Sequence, residues 1–163
     1  MPGPLDQESV IRVRETLARL GATGEIRHLD ESARTAKEAA DALGIEVGQI
    51  ASSLIFLANS RPVLVIASGA HRVDTERLSR VLSGAIIDKA NATGVRIATG
   101  FAIGGVAPVG HPEPLRTVVD TALSQFETVW AAAGHPHCVF PTTYDELLRI
   151  TGGEAAEVGE EPN

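Results

Sequence analysis

Apolar residues at Val10, Val13, Leu17 and Leu20, separated by Arg12, Arg14, Glu15 and Arg19, recur at the spacing of a helix with one buried face; Gly21 ends the run. Glu25 to Leu29 alternates and predicts a short strand. Thr35-Ala-Lys-Glu38 has the form of a capping box, in which hydroxyl and carboxylate satisfy amides at a helix start, and Gly44 supplies the stop. Two β-rich runs follow, Ile50 to Ala58 and Pro62 to Ser68, joined by Asn59-Ser60-Arg61 at hairpin length. The second is apolar without alternation and belongs deep in a sheet. Asp74 caps a helix through Val81 that Gly84 closes, Ile86-Ile87 reads as a short strand, and Asn91 caps a helix ending before Gly100. Strand-like runs at Thr117 to Ala122, Thr128 to Ala133 and His137 to Phe140 precede a second capping box, Thr143-Tyr-Asp-Glu146, and a last helix ended by Gly152-Gly153. This order predicts an α+β fold with a mixed sheet flanked by helices.

At 163 residues the chain has the length of one domain, and its 44% hydrophobic content is mostly Ala, Val, Leu and Ile, which predicts an aliphatic core. The organisation expected is a flexible start over 1–8, a folded body over 9–153 and an acidic, disordered tail over 154–163 carrying Glu154, Glu157, Glu160 and Glu161. No apolar run is long enough to cross a bilayer, the start lacks the features of a secretory signal, and one cysteine, Cys138, allows no internal disulfide. A cytoplasmic protein is expected, with neither a membrane nor DNA as partner. The formal charge of −7 argues against coating a long nucleic acid, yet Arg72, Arg77, Arg80, Lys89 and Arg96 leave room for contact with one end of an RNA.

The stretch from Thr99 to Pro114 is rich in Gly and Pro but interleaved with apolar residues, so it reads as an ordered loop, either a tight crossover or a ligand-binding turn. Glycines there let backbone amides approach a ligand and point at an oxyanion. Strand alternation sends only one of Ser52 and Ser53 into a pocket. His135 and His137 share a face if they lie on one strand, and with His111 they are a conceivable zinc set, a surface cluster, or, for His137, a pocket residue. Cys138 reads as a buried thiol, Asp74 as a helix cap, and Arg72 as either a solvated charge or an RNA contact.

Several strings in order resemble the YbaK/ProRS-associated editing domain family, which includes free-standing prolyl-tRNA editing proteins. They are Arg34-Thr35-Ala36 with Ala39-Ala40 and Leu43-Gly44, Ser53-Leu54-Ile55-Phe56 leading to Ser68-Gly69, Arg72-Val73-Asp74, Gly104-Gly105-Val106-Ala107-Pro108-Val109-Gly110-His111, and Val139-Phe140-Pro141. The resemblance implies a single domain with a barrel-like mixed sheet and a pocket for the aminoacyl group and terminal adenosine of a tRNA. It further implies ester hydrolysis with neither metal nor organic cofactor. On that basis Gly105, Gly110 and His137 are the expected catalytic groups, and Ser52, Ser53, Phe56, Ile103, Val106, Pro108 and Arg72 the expected substrate contacts. The expected partner is the acceptor end of an aminoacyl-tRNA, with an aminoacyl-tRNA synthetase as a second candidate. One departure stands out: many members carry a lysine where this chain has Ser52. Arg72 or Lys89 then has to hold a phosphate in its place, or the chain is a weakly active or inactive binding module.

Overall fold

The computed structural model describes residues 3–30, 33 and 35–160; Arg34 of the resembling strings and residues 161–163 of the expected tail lie outside them. Helix α1 spans Glu8–Arg19 and buries Val10, Val13, Thr16 and Leu17, the face that the spacing marks out. Before it, Pro4–Asp6 form a 3₁₀ turn inside the stretch expected to be flexible. Strand β1 is only Arg27–His28. Helix α2, Ala36–Leu43, has the full capping box, Glu38 N–H donating to Thr35 Oγ1 and Thr35 N–H to Glu38 Oε1, both at 3.1 Å, and ends on left-handed Gly44. The sheet's centre is the hairpin of β2, Ile50–Ala58, and β3, Arg61–Ser68. Its turn is two residues, Asn59 and Ser60, both at positive φ, so Arg61 belongs to β3 and not to the connection.

Helix α3, Thr75–Val81, is capped by Asp74 and helix α4, Ala92–Thr99, by Asn91, with β4, Ile87–Lys89, between them. Strands β5, Arg116–Asp120, β6, Val129–His135, and β7, Cys138–Thr142, lead to helix α5, Tyr144–Thr151. The second capping box is only half formed. Glu146 N–H donates to Thr143 Oγ1 at 3.0 Å, while the Glu146 carboxylate accepts from Thr142 Oγ1 at 2.7 Å.

The mixed sheet runs β1-β7-β6-β2-β3-β5-β8, where β8 is Glu154–Ala156, with β4 also on β2. Strand β3 is buried from Val63 to Ser68, as its unbroken apolar run requires. One side of the sheet packs on α1, α5 and the 101–109 loop through Val10, Val13, Leu64, Ile66, Phe101 and Phe140; the other packs on α3 through Val65, Leu78 and Val118. Among the described residues no helix is long and apolar enough to cross a membrane.

Two expectations fail here. Strand β8, Glu154–Ala156, adds to β5 in parallel, and Val158 is fully buried, so residues 154–160 are not a disordered tail: backbone pairing and one buried valine outweigh their acidity. His135 and His137 do not share a strand. His135 ends β6, Pro136 and His137 make the β6–β7 turn, and His137 N–H donates to His135 Nδ1 at 3.1 Å.

Candidate functional site: an opening in the sheet at Ser53

Strand β2 has β3 along one edge, but its other edge is shared. Strand β6 pairs in parallel with Ile50 and Ala51, and β4 pairs in antiparallel fashion with Phe56 to Ala58. On that edge residues 52–55, between these pairings, have no strand beside them among the described residues. The phase of the β2–β3 ladder decides which groups face that opening. Gly69 N–H donates to the Ile50 carbonyl at 2.8 Å, so even-numbered residues of β2 exchange bonds with β3 and odd-numbered ones turn their backbone away. Ala51 meets β6 and Leu57 meets β4, which leaves Ser53 and Ile55 as the odd-numbered residues whose backbone faces the opening. Of the two only Ser53 has a polar side chain; its hydroxyl is buried, and among the described residues it has no hydrogen-bond partner.

A cavity of about 620 Å³ occupies this opening, within the range of small-ligand sites. Because the strand edge itself lines it, both faces of β2 contribute: Ser52 and Ser53 each reach the wall, as do Leu54 and Phe56. Ile103, Gly104 and Val106 of the glycine-rich loop line it opposite, with Val95 and Trp130. Leu54 and Ile103 are exposed apolar side chains here. Two cations, Arg72 and Lys89, also line the cavity and are solvent exposed, so it is apolar within and positive at its edge. A second hollow of about 1300 Å³ lies beside the β2–β3 turn, lined by Pro62, Ile97 and Pro112 among others. None of its lining side chains is a buried polar group lacking a partner among the described residues, and we assign it no chemistry.

Of the residues expected from sequence, Ser52, Ser53, Phe56, Ile103, Val106 and Arg72 come together on the cavity; Gly105, Pro108, Gly110 and His137 do not line it. Gly105 N–H donates to the Ala102 carbonyl at 3.0 Å, so it is not aimed at a ligand. Its lack of a side chain serves another purpose, since a Cβ there would lie 3.0 Å from the backbone of His135. Gly110 faces α1, where its carbonyl accepts from Arg12 Nε at 3.0 Å, and its φ of +87° suits glycine. Pro108 is buried, and His137 sits in the β6–β7 turn with a buried Nδ1 that has no hydrogen-bond partner among the described residues. The three-histidine zinc set is not assembled. His111 Nε2 lies 2.8 Å from the Ala107 carbonyl and its ring packs edge-on to Phe101, whereas the rings of His135 and His137 are 5.4 Å apart. Burial lowers the pKa of His111, against the Ala107 bond that raises it. Burial also lowers that of His135, with His137 and His28 adding to the effect.

Sequence reasoning passed over His71 and took Gly104 only as part of a resembling string; both line the cavity. Gly104 lines the cavity at φ +90°. His71, at the end of β3, lines the cavity with Nε2 3.3 Å from Oδ2 of the buried Asp120. Asp120 also accepts from the Ser68 and Ala122 amides, each at 3.0 Å. A histidine one residue before Arg72 was the available signal, but its aspartate is 49 positions away in sequence.

The fold has relatives among solved structures. The crystal structure of a protein proposed to be a trans-editing enzyme for prolyl tRNA synthetase superposes with a TM-score of 0.90 at 42% identity, over 95% of this chain and 99% of that one. EbsC of Enterococcus faecalis, proposed as a Cys-tRNA(Pro)/Cys-tRNA(Cys) deacylase, is 24% identical over 125 residues, 76% of each chain. A proline–tRNA ligase of Bacillus licheniformis is 34% identical over 75% of this chain, a match that spans 21% of the ligase. Residues 30–150, which hold β2, β3, the glycine-rich loop and the cavity they enclose, match the aminoacyl-tRNA editing domain. The chain belongs to the aminoacyl-tRNA editing domain family.

Proposed function

We propose that this chain is a deacylase that hydrolyses in trans the ester of a mischarged tRNA, with a small amino acid as the acyl group and tRNA-Pro as the carrier. The observation that carries this reading is the cavity at the open edge of β2, apolar inside and flanked by Arg72 and Lys89. The aminoacyl group enters between Phe56, Val95 and Val106, while the cations hold phosphate of the acceptor end and so replace the lysine that Ser52 lacks.

An aminoacyl ester is already activated, so its hydrolysis needs placement of the carbonyl and of a water more than a strong nucleophile. In this reading the backbone N–H groups of Ser53 and, across the cavity, of Gly104 face the carbonyl oxygen and stabilise the charge that develops on it. Water adds to the carbonyl carbon and the bond to the ribose oxygen breaks. That oxygen takes up the proton, giving free amino acid and uncharged tRNA. His137, one of the expected catalytic groups, is given no part here because it lies in the β6–β7 turn and does not line the cavity. Size selects the acyl group: one methylene is worth only about 1–3 kcal/mol in an apolar pocket, so larger residues are rejected by steric overlap.

Ser52 in place of lysine favours a second reading, a module that binds aminoacyl-tRNA without hydrolysing it. Release of labelled amino acid from alanyl-, seryl-, cysteinyl- and threonyl-tRNA separates the two. The deacylase reading expects prompt release of one or more small residues. Saturable retention with no release above the spontaneous rate would establish the binder.

A further inference from the structure

After β8 the chain doubles back onto the segment that follows β3. Asp74 N–H donates to the Val158 carbonyl at 2.7 Å, Glu160 N–H donates to the Arg72 carbonyl at 2.8 Å, and Val73 bridges Gly159. The Arg77 guanidinium holds the Glu157 carboxylate at 2.8 Å and the Gly159 carbonyl at 3.1 Å. Gly159 lies against the His71 ring so closely that a Cβ would overlap it. The same ring contacts Asp120 on β5, the strand beside β8. Residues His71 to Asp74 are thus held by Asp120 and by residues 158–160. His71, Arg72 and Val73 are cavity wall, and the backbone of the cation-bearing residue is what Glu160 grips.

We infer that residues 157–160 are a strap that positions Arg72 toward a phosphate of the RNA acceptor end, with Gly159 as the positioning residue because a side chain there displaces the strap from His71. The inference rests on reading the cavity as a site for an RNA end. Its test needs no catalysis: binding of a labelled RNA hairpin ending in CCA, followed by fluorescence anisotropy between roughly 50 and 200 mM salt. Arg72→Gln removes one phosphate contact and is expected to flatten the slope of log affinity against log salt by about one. Gly159→Ala removes no charge, yet the strap inference expects a comparable flattening because Arg72 moves. A flatter slope in Arg72→Gln with the wild-type slope in a folded Gly159→Ala overturns the strap alone. A wild-type slope in Arg72→Gln contradicts the phosphate reading, and the strap inference falls with it. If circular dichroism shows Gly159→Ala unfolded, Glu160→Pro against Glu160→Gln makes the same comparison, since they lose the same charge and only proline loses the N–H. Equal slopes in that pair overturn the strap, and a flatter slope in the proline variant supports it.

Discussion

Ser53 has a hydroxyl that folding removes from water without giving it a partner among the described residues, a burial that costs free energy. Ser53→Ala is therefore expected to raise stability by about 1 kcal/mol while largely keeping kcat/KM for ester hydrolysis, because the backbone N–H assigned to the carbonyl oxygen stays; thermal melts and deacylation rates on the same sample check both. Lower stability would mean that the hydroxyl has a structural partner. Cys138 gives a pH test. Its thiol is buried in β7, and burial pushes its pKa up to about 11 from 9.0. The unfolded chain releases this proton first, so the contribution to stability is whole below pH 9 and lost as pH rises toward 11. Denaturant melts across that window are expected to fall more steeply for wild type than for Cys138→Ala. The caps at Thr35, Asp74 and Asn91 were legible in sequence because donor and acceptor lie within three residues of each other. The importance of Ser53 over Ser52 was not, because it depends on where β4 and β6 leave β2.

The glycine-rich loop shows what an element's sequence reveals and what it hides. Its order was legible from Gly and Pro among apolar residues. That Gly105 clears His135, and that Gly110 answers to α1, depends on contacts with distant chain. Arg12 is the clamp: besides Gly110 it donates to the Gly100 carbonyl at 3.2 Å, and its guanidinium lies 4.6 Å from the centre of the Phe101 ring. Arg12→Ala is expected to cost about 1–2 kcal/mol, to speed hydrogen exchange at amides between 101 and 110, and to lower kcat/KM from outside the cavity. Unchanged exchange in that loop would mean that Arg12 does not hold it. Strand β8 was hidden for a different reason: a short acidic stretch carries little strand signal, and its place is set by β5 and by the pocket for Val158.

At the scale of the molecule, a chain of net charge −7 presents two exposed cations at one cavity, which suits an RNA end better than an RNA length. The fold class was legible from the alternation of strands and helices, while the opening in the sheet arises only when strands from both halves of the chain converge on β2. The central claim is that this opening receives the aminoacylated adenosine. Its most direct test is an amide-resolved NMR titration with a non-hydrolysable 3′-alanylamino-3′-deoxyadenosine. The result expected is a set of saturable shifts centred on Ser53, Gly104 and Val106, with Gly110 and the β2–β3 turn undisturbed. Shifts centred on Gly110 or on that turn, or none at millimolar ligand, would contradict the account.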